Sequence, residues 1–195
     1  MGRTATIHRK TKETDITATV DIDGKGQAQV ETGIPFFDHM LEIFTRHGLF
    51  DVTVKAVGDL EVDYHHTVED VGLTLGQAFK DALGDKHGIR RFGEATVPLD
   101  EALARVVVDL SGRPYLAYRV KIRGGRVGTF DTDLPHEFYQ AFVNQLGMNL
   151  HMDVQHGENP HHVIEACFKG FARAMDRATG LDERIEGVLS TKGSL

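Results

Sequence analysis

The pattern His-His-x-x-Glu occurs twice in this chain, as His65-His66-Thr67-Val68-Glu69 and as His161-His162-Val163-Ile164-Glu165, each time opening a stretch of helical periodicity. Two copies of a ligand-bearing helix start predict a duplicated fold in which each half carries part of a metal site. On a helix, residues three and four apart share a face, so Glu69 can meet one of its two histidines while the other points elsewhere. Each copy therefore offers ligands in two directions. Imidazole with carboxylate suits divalent Mn, Fe or Zn, and no cysteine lies in either motif to make a thiolate site. The competing reading, histidines as solvated helix starts with a Glu placed for the helix dipole, accounts for one copy but not for its recurrence.

The surrounding sequence repeats in the same order. Residues 3–8 and 16–22 alternate with period two and read as strands, the second closed by Asp23-Gly24. Pro35 opens a helix carrying Phe36, Phe37, Met40, Leu41 and Phe44, which stops at Gly48. A strand over 50–57 and the first His-His helix, running to about residue 83 and ending at Gly84, complete the first half. In the second half, strands are expected over 92–99, 102–110 and 115–121. A helix follows from Pro135, then a strand over 150–154 and the second His-His helix after Pro160. The expectation is an α+β fold with internal pseudo-symmetry. Its halves, 1–90 and 91–195, join without a Pro/Ser-rich linker and so should pack as one compact domain.

Composition narrows the function. A net charge of −7 gives no basis for nucleic-acid binding, which needs clustered Lys and Arg, and an anionic ligand would require local positive charge. The single cysteine, Cys167, falls within a helical pattern and reads as a small core residue, consistent with a reducing cytoplasm. Neither a signal-peptide-like run at the start nor a membrane-length apolar segment is present, so a cytoplasmic, non-membrane protein is expected.

Two motifs cannot complete a metal site alone. His39, beside Asp38 at the polar break in the first helix, is the obvious further ligand, with Asp38 as a candidate acceptor for its ring. Superposing Phe44 on Phe142 sets Glu137 opposite His39 and His136 opposite Asp38. Either can ligate, and the register favours Glu137. His8, His87, His151 and His156 have no histidine partner in the repeat and read as strand or surface residues. For His47, a helix-terminal charge and a site role are both open.

Five segments together closely resemble the imidazoleglycerol-phosphate dehydratases. They are Gly33-Ile34-Pro35-Phe36-Phe37-Asp38-His39-Met40-Leu41, His65-His66-Thr67-Val68-Glu69-Asp70, Ser111-Gly112-Arg113-Pro114-Tyr115, His161-His162-Val163-Ile164-Glu165-Ala166 and Ser190-Thr191-Lys192-Gly193. The resemblance implies a lyase of histidine biosynthesis. Its reaction is the sixth step, dehydration of D-erythro-imidazole glycerol 3-phosphate to imidazole acetol phosphate. It implies two halves, each a four-stranded sheet with two helices, the helices sandwiched between the sheets. It further implies a homo-oligomer of twenty-four chains with active sites between subunits and two Mn ions per site.

Carried over residue by residue, it makes His39, His65, His66, Glu69, Glu137, His161, His162 and Glu165 metal ligands, although many members have His where this chain has Glu137. Substrate contacts would come from Glu13, His39, His47, His65, Arg91, Arg113, Lys169, Ser190 and Lys192. Glu13 would be the catalytic acid and base. The hydrogen removed sits on a carbon with no adjacent carbonyl, so the imidazole must act as the electron sink, and the non-reacting phosphate can supply positioning energy. From the ligand set alone, a dinuclear metallohydrolase or a non-catalytic metal-binding cage would remain open.

Overall fold

The computed structural model describes residues 2–195. Strands β1 (Thr4–Lys10) and β2 (Thr14–Asp21) form an antiparallel hairpin. β3 (Ala28–Glu31), helix α1 (Pro35–Gly48) and β4 (Asp51–Gly58) then form a unit whose two strands pair in parallel, and α2 (His65–Leu83) follows. The second half repeats this sequence with β5 (Phe92–Leu99), β6 (Ala102–Asp109), β7 (Tyr115–Arg119), a small hairpin of β8 (Arg126–Val127) and β9 (Phe130–Asp131), α3 (Leu134–Leu146), β10 (Asn149–His156) and α4 (Pro160–Thr179). The sheets run β1-β2-β4-β3 and β5-β6-β10-β7, the same order twice.

The register makes the repeat quantitative. β2 and β6 are each eight residues long with the same alternation of buried and outward positions, and their last residues, Asp21 and Asp109, pair with the first residues of β1 and β5. α2 packs on β1, β2 and β4, and α4 on β5 and β6. Between these layers α1 meets α4 and α2 meets α3, so the helices lie between the sheets. One apolar core runs through both halves, with Phe44, Phe79, Phe142 and Phe171 in contact at its centre. α2 and α3 approach closely because Gly72 and Gly76 lie one turn apart on the shared face. A Cβ at either would sit 2.7 Å from a carbonyl oxygen, of Phe138 or Phe142.

The expected helices are all present, with shifts of a residue or so at their ends, and Cys167 is a fully buried core thiol. Three strands were not expected. β3 is four residues long with Gln29 and Glu31 pointing outward, and β8 and β9 are two residues each, too short for an alternation to register. No described helix is long and apolar enough to cross a membrane.

Candidate active site

The two motif helices begin alike. Asn159 caps α4, its side-chain oxygen accepting from the His161 amide at 3.0 Å, and Asp63, one residue before the α2 N-cap, accepts from the His65 amide at 2.7 Å. Each histidine pair is thereby held at one position of the first turn. Within each pair the ring planes are nearly perpendicular, 88° for His65 and His66 and 80° for His161 and His162. The first histidine lies over the glutamate four residues on, His161 Nε2 at 3.0 Å from Glu165 Oε2 and His65 Nε2 at 4.0 Å from Glu69 Oε2. The second turns to a neighbouring loop, His66 Nδ1 to Asp59 at 3.0 Å and His162 Nδ1 to Glu101 at 2.8 Å.

The structure brings His39 of α1 to the second motif, not the first. His39 Nε2 lies 3.8 Å from Glu165 Oε2, and ligand atoms of His39, His161 and Glu165 all fall within 4.8 Å of one another. Two imidazole nitrogens and a carboxylate oxygen at this spacing fit a divalent cation and leave further coordination positions for other ligands. Lys169 Nζ reaches the other Glu165 oxygen at 2.7 Å. Burial works against ionisation of Glu165, yet Lys169 and His161 hold its carboxyl below the ordinary range. His47 lines a small pocket with His39, and its pKa is lowered by burial and by the nearby charges of Lys169 and Arg173. Asp59 and Glu101 raise the pKa values of His66 and His162 by hydrogen bonding, and Glu101 is itself drawn down to about 2 by His162 and by the Asn159 amide.

A second site lies at the other end of α4. Arg91, Ser111, Arg113, Ser190 and Lys192 line an open pocket of about 730 Å³, one wall of which is the C-terminal tail. Asp109 grips Arg91 through Nε at 2.7 Å and Nη2 at 3.1 Å, and Arg91 Nη1 donates to the Leu189 carbonyl of the tail. The lining brings guanidinium, ammonium and hydroxyl groups together, donor types suited to an anionic ligand. The Arg91 amide bonds the Ala178 carbonyl, so along α4 the pocket stands about 25 Å from His161, at 1.5 Å per residue.

The imidazoleglycerol-phosphate dehydratase family matches residues 32–175. This chain belongs to the imidazoleglycerol-phosphate dehydratase family. The dehydratase of Geobacter sulfurreducens is 60% identical over 195 residues, covering all of both chains, and that of Shouchella clausii is 55% identical over the same full span. The crystal structure of the Staphylococcus aureus dehydratase matches with a TM-score of 0.84 at 37% identity, covering 92% of this chain and 99% of that one. The Pyrococcus furiosus enzyme in complex with (S)-C348 matches with a TM-score of 0.85 at 37% identity, covering 97% and 100%. Of the three functions open to the ligand set, membership in a hydro-lyase family of histidine biosynthesis selects the dehydratase.

Against that family pattern, the candidate residues fall into separate groups within one chain. His39, His161, Glu165 and Lys169 converge, as do Arg91, Arg113, Ser190 and Lys192. Glu13 lies beside the first motif, its Oε1 3.9 Å from His66 Nε2. Glu137 bonds its own neighbour, His136 Nδ1, at 3.0 Å. Among the described residues His39, His161 and Glu165 form the one cluster of three potential ligands, so the matching set around His65 and Glu69 is not assembled. Asp38 is not the acceptor for His39. Its Oδ1 takes the Thr32 amide and hydroxyl at 2.9 and 2.5 Å and so ties the loop to the start of α1. Sequence reasoning missed Asp59, Glu101 and Asp109. Glu101 was findable, because superposing β2 on β6 puts it opposite Glu13; Asp59 lies in a loop without a counterpart of the same length.

Proposed function

We propose that this chain dehydrates D-erythro-imidazole glycerol 3-phosphate to imidazole acetol phosphate, the sixth step of histidine biosynthesis, in a Mn-dependent reaction in the cytoplasm. The observation that carries the reading is the His39–His161–Glu165 cluster, in which the second motif and helix α1 supply a mixed nitrogen and oxygen donor set. Mn2+ ions on this cluster and on its counterpart from His65, His66, Glu69, His162 and Glu137 would bind the substrate imidazole and favour its deprotonated form.

The chain's own groups do the rest. Glu13 serves as base and acid. Its amide donates to Thr11 Oγ1 at 3.0 Å and its carbonyl accepts from the Asp59 amide at 3.1 Å, so the backbone is pinned while the carboxylate stays exposed and free to take the carbon-bound proton. As the ring pushes electrons toward the carbinol carbon, the C–O bond breaks and the hydroxide leaves as water with the proton the ring gave up. Glu13 then takes the proton from the neighbouring carbon to give the enol and returns it to the ring-bearing carbon, which yields the ketone. Arg113, Ser190 and Lys192, with Arg91 oriented by Asp109, hold the phosphate.

The separation of about 25 Å along α4 bears on assembly, since one small molecule cannot touch a metal cluster and an anion pocket that far apart. The reading is therefore a homo-oligomer, of twenty-four chains as the resemblance implies, in which one copy's anion pocket faces another's metal cluster. Residues 1–90 and 91–195 act in it as halves of one domain around their shared core. The experiment is to supply imidazoleglycerol phosphate to metal-free and Mn-loaded protein and follow the ketone product. Turnover only with metal is expected, and Glu13→Gln should abolish it at unchanged metal content. Turnover without metal, or by Glu13→Gln, would refute the corresponding part.

A further inference from the structure

The two halves treat one glutamate differently. Eight-residue strands β2 and β6 superpose end to end, so the residue before each, Glu13 and Glu101, occupies the same place in the repeat. Glu13 is free. Glu101 is fastened, its Oε1 accepting from the amides of Asn159 at 2.8 Å and Glu158 at 3.2 Å and its Oε2 bonded to His162 Nδ1 at 2.8 Å. In the first half the corresponding bond, to His66 Nδ1 at 3.0 Å, comes from Asp59 in the loop between β4 and α2. That loop holds six residues, 59–64, against three, 157–159, between β10 and α4.

We propose that Asp59 and Glu101 are positioning residues that fix the ring orientation and tautomer of His66 and His162, and that the longer first loop supplies Asp59 so that Glu13 is released from this duty. The inference rests on the reading of His66 and His162 as metal ligands. A carboxylate only accepts, so each Nδ1 carries the hydrogen and each Nε2 is left with its lone pair for a cation. Asp59 Oδ1 is buried without a protein partner, which leaves the bond to His66 as the side chain's anchoring contact. Glu13 approaches the same ring from its other side, Oε1 lying 3.9 Å from Nε2, so Asp59 holds Nδ1 without displacing it.

Replacing either carboxylate by its amide tests this. In Glu101→Gln the side-chain oxygen stays on the Asn159 and Glu158 amides and the NH2 group faces His162, which must then accept at Nδ1 and carry its hydrogen on Nε2. Solid-state 15N spectra of histidine-labelled, metal-free protein should show one ring changing tautomer. Mn2+ titration followed by electron paramagnetic resonance should show affinity at one class of site falling about 10- to 100-fold, with assembly mass as in the parent. Asp59→Asn should do the same at the other class, and Glu101→Asp and Asp59→Glu should restore part of the loss. Unchanged tautomers with Mn2+ affinity held within about threefold would overturn the proposal. His162→Ala separates this from failure of the ligand reading: if it abolishes binding while Glu101→Gln does not, only the positioning role is wrong, and if it leaves binding intact, His162 is no ligand and both fall.

Discussion

Asp70, buried in α2 directly after the first motif glutamate, is the side chain that ties the turn carrying Glu13 to the motif helix. Its Oδ2 accepts from Thr14 Oγ1 at 2.5 Å and its Oδ1 from Arg9 Nε at 3.0 Å, one partner on each strand flanking the turn that carries Glu13. Hydrogen bonds to a charged group contribute about 1.5–3 kcal/mol each when sheltered. The Thr14 bond is buried and keeps that range, whereas the Arg9 side chain is 40% exposed, so solvent reduces its share to about 1 kcal/mol or less. Asp70→Ala should therefore cost about 3 kcal/mol and, at 2–4 °C per kcal/mol for a chain of this size, lower Tm by about 6–12 °C. Differential scanning calorimetry on metal-free protein measures this directly. Thr14→Val alone should cost about 1–2 kcal/mol, but markedly less in the Asp70→Ala background, because the two residues share one bond. A Tm drop under about 2 °C, or strict additivity of the pair, would refute the anchoring argument.

Acid and base should act in opposite senses on the metal-free and Mn-loaded forms. The raised pKa of His162 gives stability that is full below the ordinary value of 6.5 and lost as pH rises through its folded value. The depressed pKa of Glu101 gives stability present above 4.5 and lost toward about 2, so this pair helps the metal-free fold most between 4.5 and 6.5. Mn2+ competes with protons for the same rings, so the Tm gained on adding it should grow from about pH 6 to about pH 8; a larger gain at the lower pH would contradict the ligand assignment. At the eighth ligand position, Mn2+ titrations should show Glu137→Ala weakening affinity more than His136→Ala, and the reverse order would show the repeat to be misaligned there.

Much of this was legible from periodicity and repetition. The His-His-x-x-Glu spacing read as two ligand directions is what the perpendicular rings of His65–His66 and His161–His162 show, and the double order of strands and helices is the observed topology. What escaped depends on tertiary placement. His39 stands nearer the first motif in sequence but lies on the second in space, because α1 packs on α4. The pocket around Arg91 takes one wall from the C-terminal tail folding back on it, a contact across 98 positions that no local pattern announces. Family resemblance supplied Arg91, Arg113, Ser190 and Lys192 together; spacing alone would have left each as a surface charge or a loop hydroxyl.

The central claim is that metal cluster and anion pocket, apart in one chain, meet across copies. Glu165→Gln and Lys192→Ala disable one element each. The two variants should be dissociated, mixed in equal amounts and reassembled with Mn2+, with co-assembly confirmed by native mass measurement and dehydratase activity read before and after. If each site draws its cluster and its pocket from different chains, roughly a quarter of the sites recover both intact elements and activity rises well above that of either variant. If activity stays at the mean of the two parents in confirmed mixed assemblies, one chain supplies both elements and the account is wrong.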